Sequence, residues 1–269
     1  MITYAKPTKI GIYINSSRKS ASAIKKEIGC DILINGGLFD MRTFTPNCWL
    51  KANGTVWHQE AWSDFGLGWD SVKPVMDSSA NIGKYKNFIS CVALMRGGVA
   101  LPLSYPAALG GVRGRSAVGV RADGVVVVYC SADNTADACT PERLQGIMRE
   151  QGCTDALMLD GGASSQCITP SGTISSQRIV HNFIAIWTGA VNDKPADCPY
   201  AEPKANIRWG SIGQGAKWTQ WQLNRHGAAL TVDGIFGSKS ISALRSFQSA
   251  HGLVADGICG KLTREELKK

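Results

Sequence analysis

No stretch of this 269-residue chain approaches the ~20 consecutive apolar residues that a membrane-crossing helix needs. The N-terminal MITYAKPTKIGIYIN lacks a basic segment followed by an apolar run of roughly 7–15 residues, so no secretory signal is visible. On that reading the protein is made in the cytoplasm and stays there. Cys-x-x-Cys pairs are missing although there are nine cysteines. An odd count without such pairs argues against a disulfide framework and a zinc knuckle, so the thiols are expected to be small buried hydrophobes. The four histidines, His58, His181, His226 and His251, are scattered and no His-Glu-x-x-His occurs, which leaves a zinc peptidase without ligands. No cysteine stands in a recognisable nucleophile context, which disfavours a Cys-His peptidase. Runs of lysine and arginine are also missing. The +8 charge is spread, with 18 basic against 14 acidic residues through Thr188 and 11 against 7 after it. A nucleic-acid partner would call for a basic stripe interleaved with aromatics. A diffuse excess suits a polyanion such as a wall phosphodiester polymer, or is a plain solvated surface.

What is present is the composition of an ordinary folded protein, 44% hydrophobic and 19% charged, long enough for one good-sized domain and a small one. Residues 9–15 alternate as a strand. Ser20 to Ile28 reads as a helix, with Ala21, Ile24 and Ile28 on one face and Gly29 as its stop. Residues 31–35 form a buried strand running into Gly36-Gly37. Short strands and glycine turns follow, at 53–54, 96–98 and 122–124. VVVVY at 125–129 is a strand. Thr140-Pro141 starts a helix with Leu144, Ile147 and Met148 inward, ending at Gly152. Residues 156–159 are a buried strand that delivers Asp160, and Ile184 to Trp187 is the last strand. The expectation is an α+β fold, a mixed, mainly antiparallel sheet with packed helices. The expected domains are 1–188, a proline-containing linker at 189–206, and a small helical module at 207–269.

That module repeats itself. TVDGIFGSKSISAL (231–244) aligns with VADGICGKLTREEL (254–267) at a shift of 23 residues. Each copy has an Asp-Gly turn, an apolar plug, a second glycine and a helix start expected to carry a hydroxyl cap, Ser240 in one and Thr263 in the other. Trp218, Trp221 and Leu223 form the apolar side of the preceding helix; Leu244 and Phe247 form that of the middle one. With Gln222-Leu223, Phe247-Gln248 and Gly252-Leu253, this pattern resembles the three-helix peptidoglycan-binding domain of wall hydrolases over roughly Gly210 to Leu267.

Four segments of the first domain carry chemistry. INGGLFD (34–40) puts Asn35 and Asp40 at a strand end beside glycines that let backbone approach a ligand. GVRGRSAVGV (111–120) sets Arg113 and Arg115 on one side of an extended strand. LMLDGGASSQ (157–166) carries Asp160 into a glycine turn followed by Ser164 and Ser165. QRIVHNFIAIW (177–187) adds Arg178 and Asn182. In this order the segments resemble the phosphodiester glycosidase family. Ile179 stands where that family has proline, and Leu38 where an aromatic is usual.

The resemblance implies hydrolysis between an anomeric carbon and a phosphate. Phosphate leaves well, so a strong general acid matters less than in other glycosidases. A carboxylate is needed to activate water or steady an oxocarbenium-like centre, and cations to hold the phosphate. Asp160 is the first choice for the carboxylate and Asp40 the second. Arg115 and Arg178 are the phosphate clamp, with Arg113 in reserve. Asn35, Gly36, Gly37, Gly161, Gly162, Ser164, Ser165 and Asn182 orient substrate oxygens. The sequence requires no cofactor. Asp133, Asn134 and Asp137 lack the EF-hand spacing, so a divalent cation has no support. The expected partner is a bacterial wall polymer, peptidoglycan or a wall phosphodiester glycan, with neither nucleic acid nor membrane insertion. Two other readings stand beside this one: a glycosidase acting on a phosphate-free peptidoglycan bond, and a non-catalytic wall-binding protein. A wall-binding module without a signal points to a phage endolysin or a related autolysin.

Overall fold

In the computed structural model the described residues are 1–59, 62–188, 198–226, 228 and 230–268. The chain divides into two compact units, Met1–Pro195 and Ala196–Lys269.

Among the described residues of the first unit, β-structure dominates. A six-stranded sheet runs Ile2–Ala5, Val126–Cys130, Ser116–Arg121, Cys153–Met158, Val92–Arg96, Val99–Ala100 in spatial order. A five-stranded sheet runs Gly172–Ile174, Cys167–Thr169, Ile32–Asn35, Asn182–Thr188, Pro7–Ile14. A second five-stranded sheet runs Thr55–His58, Leu50–Ala52, Asn87–Ser90, Phe65–Trp69, Val75–Ser78. Neighbouring strands within these sheets are antiparallel, as in the register pairs Ile184 to Ile34, Val118 to Leu157 and Phe88 to Gly68. The fold is α+β, as the sequence pattern implies.

Alternation explains how the sheets stack. In the sheet around Ile32–Asn35, Ile32, Ile34, Ile184 and Ile186 face a core shared with the other two sheets. Leu33, Phe183 and Ala185 face the opposite way and pack with Ile24. Ile24 belongs to the helix Ala21–Ile28, whose Ser20 side chain caps the Ala23 amide and whose Gly29 stop is left-handed at φ 61°, as expected. The helix Pro141–Glu150 begins at Thr140 and buries Leu144 and Met148. It lies so close to the sheet that a side-chain carbon at Gly119 would sit 2.6 Å from Met148. The Asn53-Gly54 pair takes positive φ at both residues, the hairpin turn its sequence calls for.

The second unit carries helices Gln214–Arg225, Ser238–Ala250 and Lys261–Leu267. They enclose Trp218, Leu223, Leu244, Phe236, Cys259 and Leu267. The plugs of the two repeats are thus Phe236 and Cys259, both fully buried, while Ile235 is exposed. The expected hydroxyl caps are corrected: Gly237 and Gly260 cap these helices without a side-chain bond. A pair of buried glutamines takes the hydroxyls instead. Gln220 Nε2 donates to Ser240 Oγ at 3.1 Å and to Asp233 Oδ1 at 2.8 Å, and its Oε1 accepts the Gly234 amide at 2.9 Å. Gln248 repeats this with Thr263 Oγ1 at 3.3 Å, Asp256 Oδ1 at 2.9 Å and the Gly257 amide at 3.0 Å. A buried amide left without partners is costly, so it draws in whatever hydroxyl lies nearest.

Of the expected linker, residues 189–197 lie outside the described residues. Residues 198–206 are not a spacer. Cys198 and Tyr200 pack on the second core, Pro203 lies against Gly215, and Glu202 pairs with Arg264 and Lys268. Their apolar and ionic partners are all in the helical unit, so they belong to it. All nine cysteines are free, and Cys198 alone is not fully buried.

Candidate active site

The site forms where the Ile32–Asn35 strand of one sheet meets the Cys153–Met158 strand of another. Asn35 is the joint. Fully buried, it donates from Nδ2 to the Asp160 carbonyl at 2.9 Å. Its Oδ1 accepts the Ser116 hydroxyl at 2.6 Å and the Gln166 amide at 3.1 Å. The Gly36 carbonyl accepts the Asp160 amide at 3.0 Å. Asp160 is therefore held on both sides of its backbone. Asn35 has its hydrogen bonds filled by the protein, so its role is to position Asp160 rather than to touch substrate.

The Asp160 carboxylate accepts the Gly161 amide at 2.9 Å. Burial raises its pKa above the ordinary carboxylate value; hydrogen bonds from Ser164 and Gly161 and the charge of Arg178 pull the other way. Arg178 Nη1 donates to Ser164 Oγ at 3.2 Å. Gln166 Nε2 donates to the Arg178 carbonyl at 2.9 Å and fixes that segment. Asp160, Ser164 and Arg178 thus stand in line, with the thiols of Cys48 and Cys91 close enough to feel the Asp160 charge. Ser165 Oγ is buried without a hydrogen-bond partner among the described residues, a costly state for a hydroxyl.

Glycine is required at 36 by close approach. A side-chain carbon there would fall 1.8 Å from Asn182 Oδ1. That oxygen accepts the Gly37 amide at 2.9 Å, so Asn182 builds the Gly-Gly turn. A side-chain carbon at Gly161 would fall 2.9 Å from the Gly114 carbonyl oxygen, and Gly162 is left-handed at φ 59°.

Three expected residues stand elsewhere in role. Arg115 is 1% exposed. Its Nε donates to the Cys139 carbonyl at 2.8 Å, Nη1 to Leu109 at 2.8 Å and Nη2 to Gly111 at 2.5 Å. Burial lowers its pKa. It is a latch on three carbonyls, and its Nη1 lies 3.6 Å from where a side-chain carbon at Gly161 would sit. Asp40 accepts the Arg42 and Thr43 amides at 2.7 and 3.2 Å. Those amides hold its pKa below the usual range, as befits a turn carboxylate. Arg113 is exposed and bridges to Cys139 through its backbone. Asp133 accepts the Gly114 amide at 2.9 Å. Among the described residues no group of three or more His, Cys, Asp or Glu is placed to hold a metal ion.

The sequence pattern did not single out an aromatic group beside Asn182. His181, 4% exposed, lies next to Phe44 at 5.4 Å and Trp57 at 6.3 Å between ring centroids. Burial lowers its pKa. Arg18 sits over Phe44 at 4.5 Å. Arg18 and Phe44 both hold positive φ, 52° and 56°, which costs of order 1–3 kcal/mol for such residues and clusters at functional sites. Trp57 is 44% exposed.

Residues 29–187 match the family model described as phosphodiester glycosidase, more than half of the chain. The chain belongs to the phosphodiester glycosidase family. The matched span includes Asn35, Asp160 and Arg178. A second model, for a peptidoglycan binding domain, matches residues 213–267. The fold is similar to that of the zebrafish N-acetylglucosamine-1-phosphodiester alpha-N-acetylglucosaminidase catalytic domain auto-inhibited by its pro-peptide. That match has a TM-score of 0.54 at 16% identity, over 70% of this chain and 73% of that one. A hypothetical protein from Synechocystis gives 0.56 at 11%, over 70% and 59%. At such identities these two matches speak for the fold alone. A 57-residue stretch is 42% identical to the zinc D-Ala-D-Ala carboxypeptidase of Streptomyces albus G, covering 20% of this chain and 22% of that enzyme. The chain thus spans about a fifth of that relative. A phosphodiester glycosidase domain joined to a peptidoglycan-binding domain ties the protein to the cell wall. No helix among the described residues is long and apolar enough to cross a membrane.

Proposed function

We propose that the protein hydrolyses a sugar-1-phosphodiester of a bacterial wall polymer, with Asp160 as the reacting carboxylate. The observation that carries this is the line Asp160, Ser164, Arg178 at the seam of two sheets. A carboxylate whose pKa is raised by burial is a stronger base than a free one and so better suited to accept a proton. It takes a proton from water as the water attacks the anomeric carbon. The carbon–oxygen bond breaks, and the phosphate leaves with both electrons as a monoester. Arg178, half-buried beside Ser164, holds a phosphate oxygen by a charge-assisted bond. Ser165 and the Gly161-Gly162 turn orient sugar oxygens, and the exposed face of Trp57 gives a pyranose ring an apolar surface. An N-acetylhexosamine is the sugar proposed, after the N-acetylglucosamine in the name of the similar zebrafish protein. In biological terms this is an endolysin or autolysin activity, delivered to the wall by the C-terminal module.

The withdrawal of Arg115 into backbone bonds favours a second reading. It leaves Arg178 as the half-buried cation of the site, and a phosphate-free glycan needs fewer cations. One experiment separates the two. Purified wall polymers with and without phosphodiester links are digested, and released sugars are measured for the parent and for Asp160→Asn and Arg178→Ala variants. Asp160→Asn is expected to lose about 10²–10⁴-fold in rate on the cleaved polymer, with wall binding intact. Arg178→Ala is expected to raise KM chiefly on phosphodiester polymers. Near-parental activity of Asp160→Asn refutes the assignment. Cleavage confined to phosphate-free glycan replaces the phosphodiester reading with the second.

A further inference from the structure

The helical unit carries a cavity of about 600 Å³ that includes Arg208, Trp209, Ile241, Arg245, Asp256 and Gly257 in its lining. It lies at the second Asp-Gly turn, and the internal repeat shows what is special about it. Gln220 and Gln248 are equivalent hubs, each clamping one Asp-Gly turn. Three residues before each stands a cation: Lys217 before Gln220, Arg245 before Gln248. Each lies against the glycine of its turn. A side-chain carbon at Gly234 would meet Lys217 at 3.0 Å, and one at Gly257 would meet Arg245 Nε at 2.9 Å. Both glycines hold positive φ, 81° and 75°.

The two cations then differ. Lys217 sits over the Tyr200 ring at 5.8 Å. Arg245 opens into the cavity, where its closest polar partner is the Asp256 carbonyl at 3.5 Å. Arg208 joins it from the chain preceding the first helix. The ion pairs of this unit, from Arg264 and Lys268 to Glu202, involve neither arginine. The Asp256 carboxylate is already engaged by Gln248 and by the Ile258 amide at 2.8 Å. Beside the arginines, Trp209 is 66% exposed. Among the described residues neither arginine has an acidic partner, so the cavity presents two guanidiniums next to an exposed indole and an aliphatic side chain.

We propose that this cavity binds a carboxylate-bearing stem peptide of peptidoglycan. Arg208 and Arg245 hold the carboxylate bidentately, and Trp209 and Ile241 cover its aliphatic carbons. A wall phosphodiester polymer also offers anionic oxygens, but its polar backbone has no apolar side chain to set against Trp209. The proposal rests on the assignment of residues 213–267 to peptidoglycan binding.

The test uses the full chain. Binding to purified sacculi is measured for the parent, for the double variant Arg208→Gln/Arg245→Gln and for Trp209→Ala. Cleavage of a soluble substrate by the first unit checks that each chain is intact. A synthetic stem tetrapeptide, the same peptide with its carboxylates amidated, peptide-free glycan fragments and glycerol-phosphate polymer serve as competitors. The double variant is expected to bind sacculi about tenfold more weakly or worse, because hydrogen bonds to charged groups are lost. The free-acid tetrapeptide alone is expected to compete. Equal binding by the double variant, or competition by the glycan, the phosphate polymer or the amidated peptide at the same level, overturns the proposal. Failure of the parent to bind sacculi at all overturns the peptidoglycan-binding reading together with it.

Discussion

Arg115 decides between two views of this fold, because one substitution separates a phosphate clamp from a structural latch. Arg115→Ala removes a fully buried side chain and leaves three carbonyl oxygens without their charged donor. The three differ in what they lose. Cys139 is buried, Leu109 half-buried and Gly111 exposed, so water can replace the donor at Gly111. Bonds to charged groups contribute about 1.5–3 kcal/mol each. Counting only the two less accessible acceptors gives a loss of about 3–6 kcal/mol. Against the roughly 5–15 kcal/mol that holds a domain together, that is a large share. For a unit of this size it corresponds to a fall in melting temperature of roughly 6–24 °C. Calorimetry of the full chain reads this directly, following the transition at which cleavage activity disappears. Arg115→Lys keeps the charge but has no planar fork, and one ammonium cannot reach all three carbonyls. It is expected to recover less than half of the lost stability. If Arg115→Ala melts with the parent and shows only a raised KM, the latch is wrong and the arginine faces substrate.

Two further outcomes follow from the same geometry. Gly36→Ala places a carbon 1.8 Å from Asn182 Oδ1, so it should cost about 2–4 kcal/mol through overpacking and a broken buried hydrogen bond. Urea unfolding should show that cost shrinking when Asn182 is also alanine, and additivity of the two changes would contradict the contact. Asp160 holds its proton more tightly folded than unfolded, since burial raises its pKa. Its contribution to stability is therefore present below the unfolded value of about 3.9 and lost as pH rises through the folded one. Asp160→Asn should accordingly melt above the parent at neutral pH, with the gap closing in acid; a parent that melts higher at neutral pH would show the carboxylate to be stabilised where it sits.

How much of this was legible depended on how local each feature is. Ser20 and Gly29 bound their helix through partners three and four residues away, and Asn53-Gly54 turns within itself, so both read off the chain. Asp160 was legible because a buried strand must deliver its last residue somewhere, and glycines follow. Arg115 was not. Its charge matched a phosphate clamp, but the carbonyls that claim it come from a loop and a helix approach that no pattern in its own segment announces. Ser240 and Thr263 failed in the same way. Each looks like a cap from its place in the helix, yet a buried glutamine on another helix captures it. Phe44, Trp57 and His181 meet across more than a hundred residues, and no spacing rule covers that distance.

The seam at Asn35 has a consequence for the order in which the molecule matures. Its bonds span 125 residues to Asp160 and 81 to Ser116, and the neighbouring turn spans 145 from Gly37 to Asn182. Such closures come late in folding, because long loops must be drawn shut before anything rewards them. Neither sheet alone contains a working centre. The activity proposed above is thus a property of the finished body, and its return after denaturation times the last docking event rather than the first collapse. On the proposed function, a variant whose two sheets fail to dock arrives at the assay inactive, with Asp160, Ser164 and Arg178 still in its sequence.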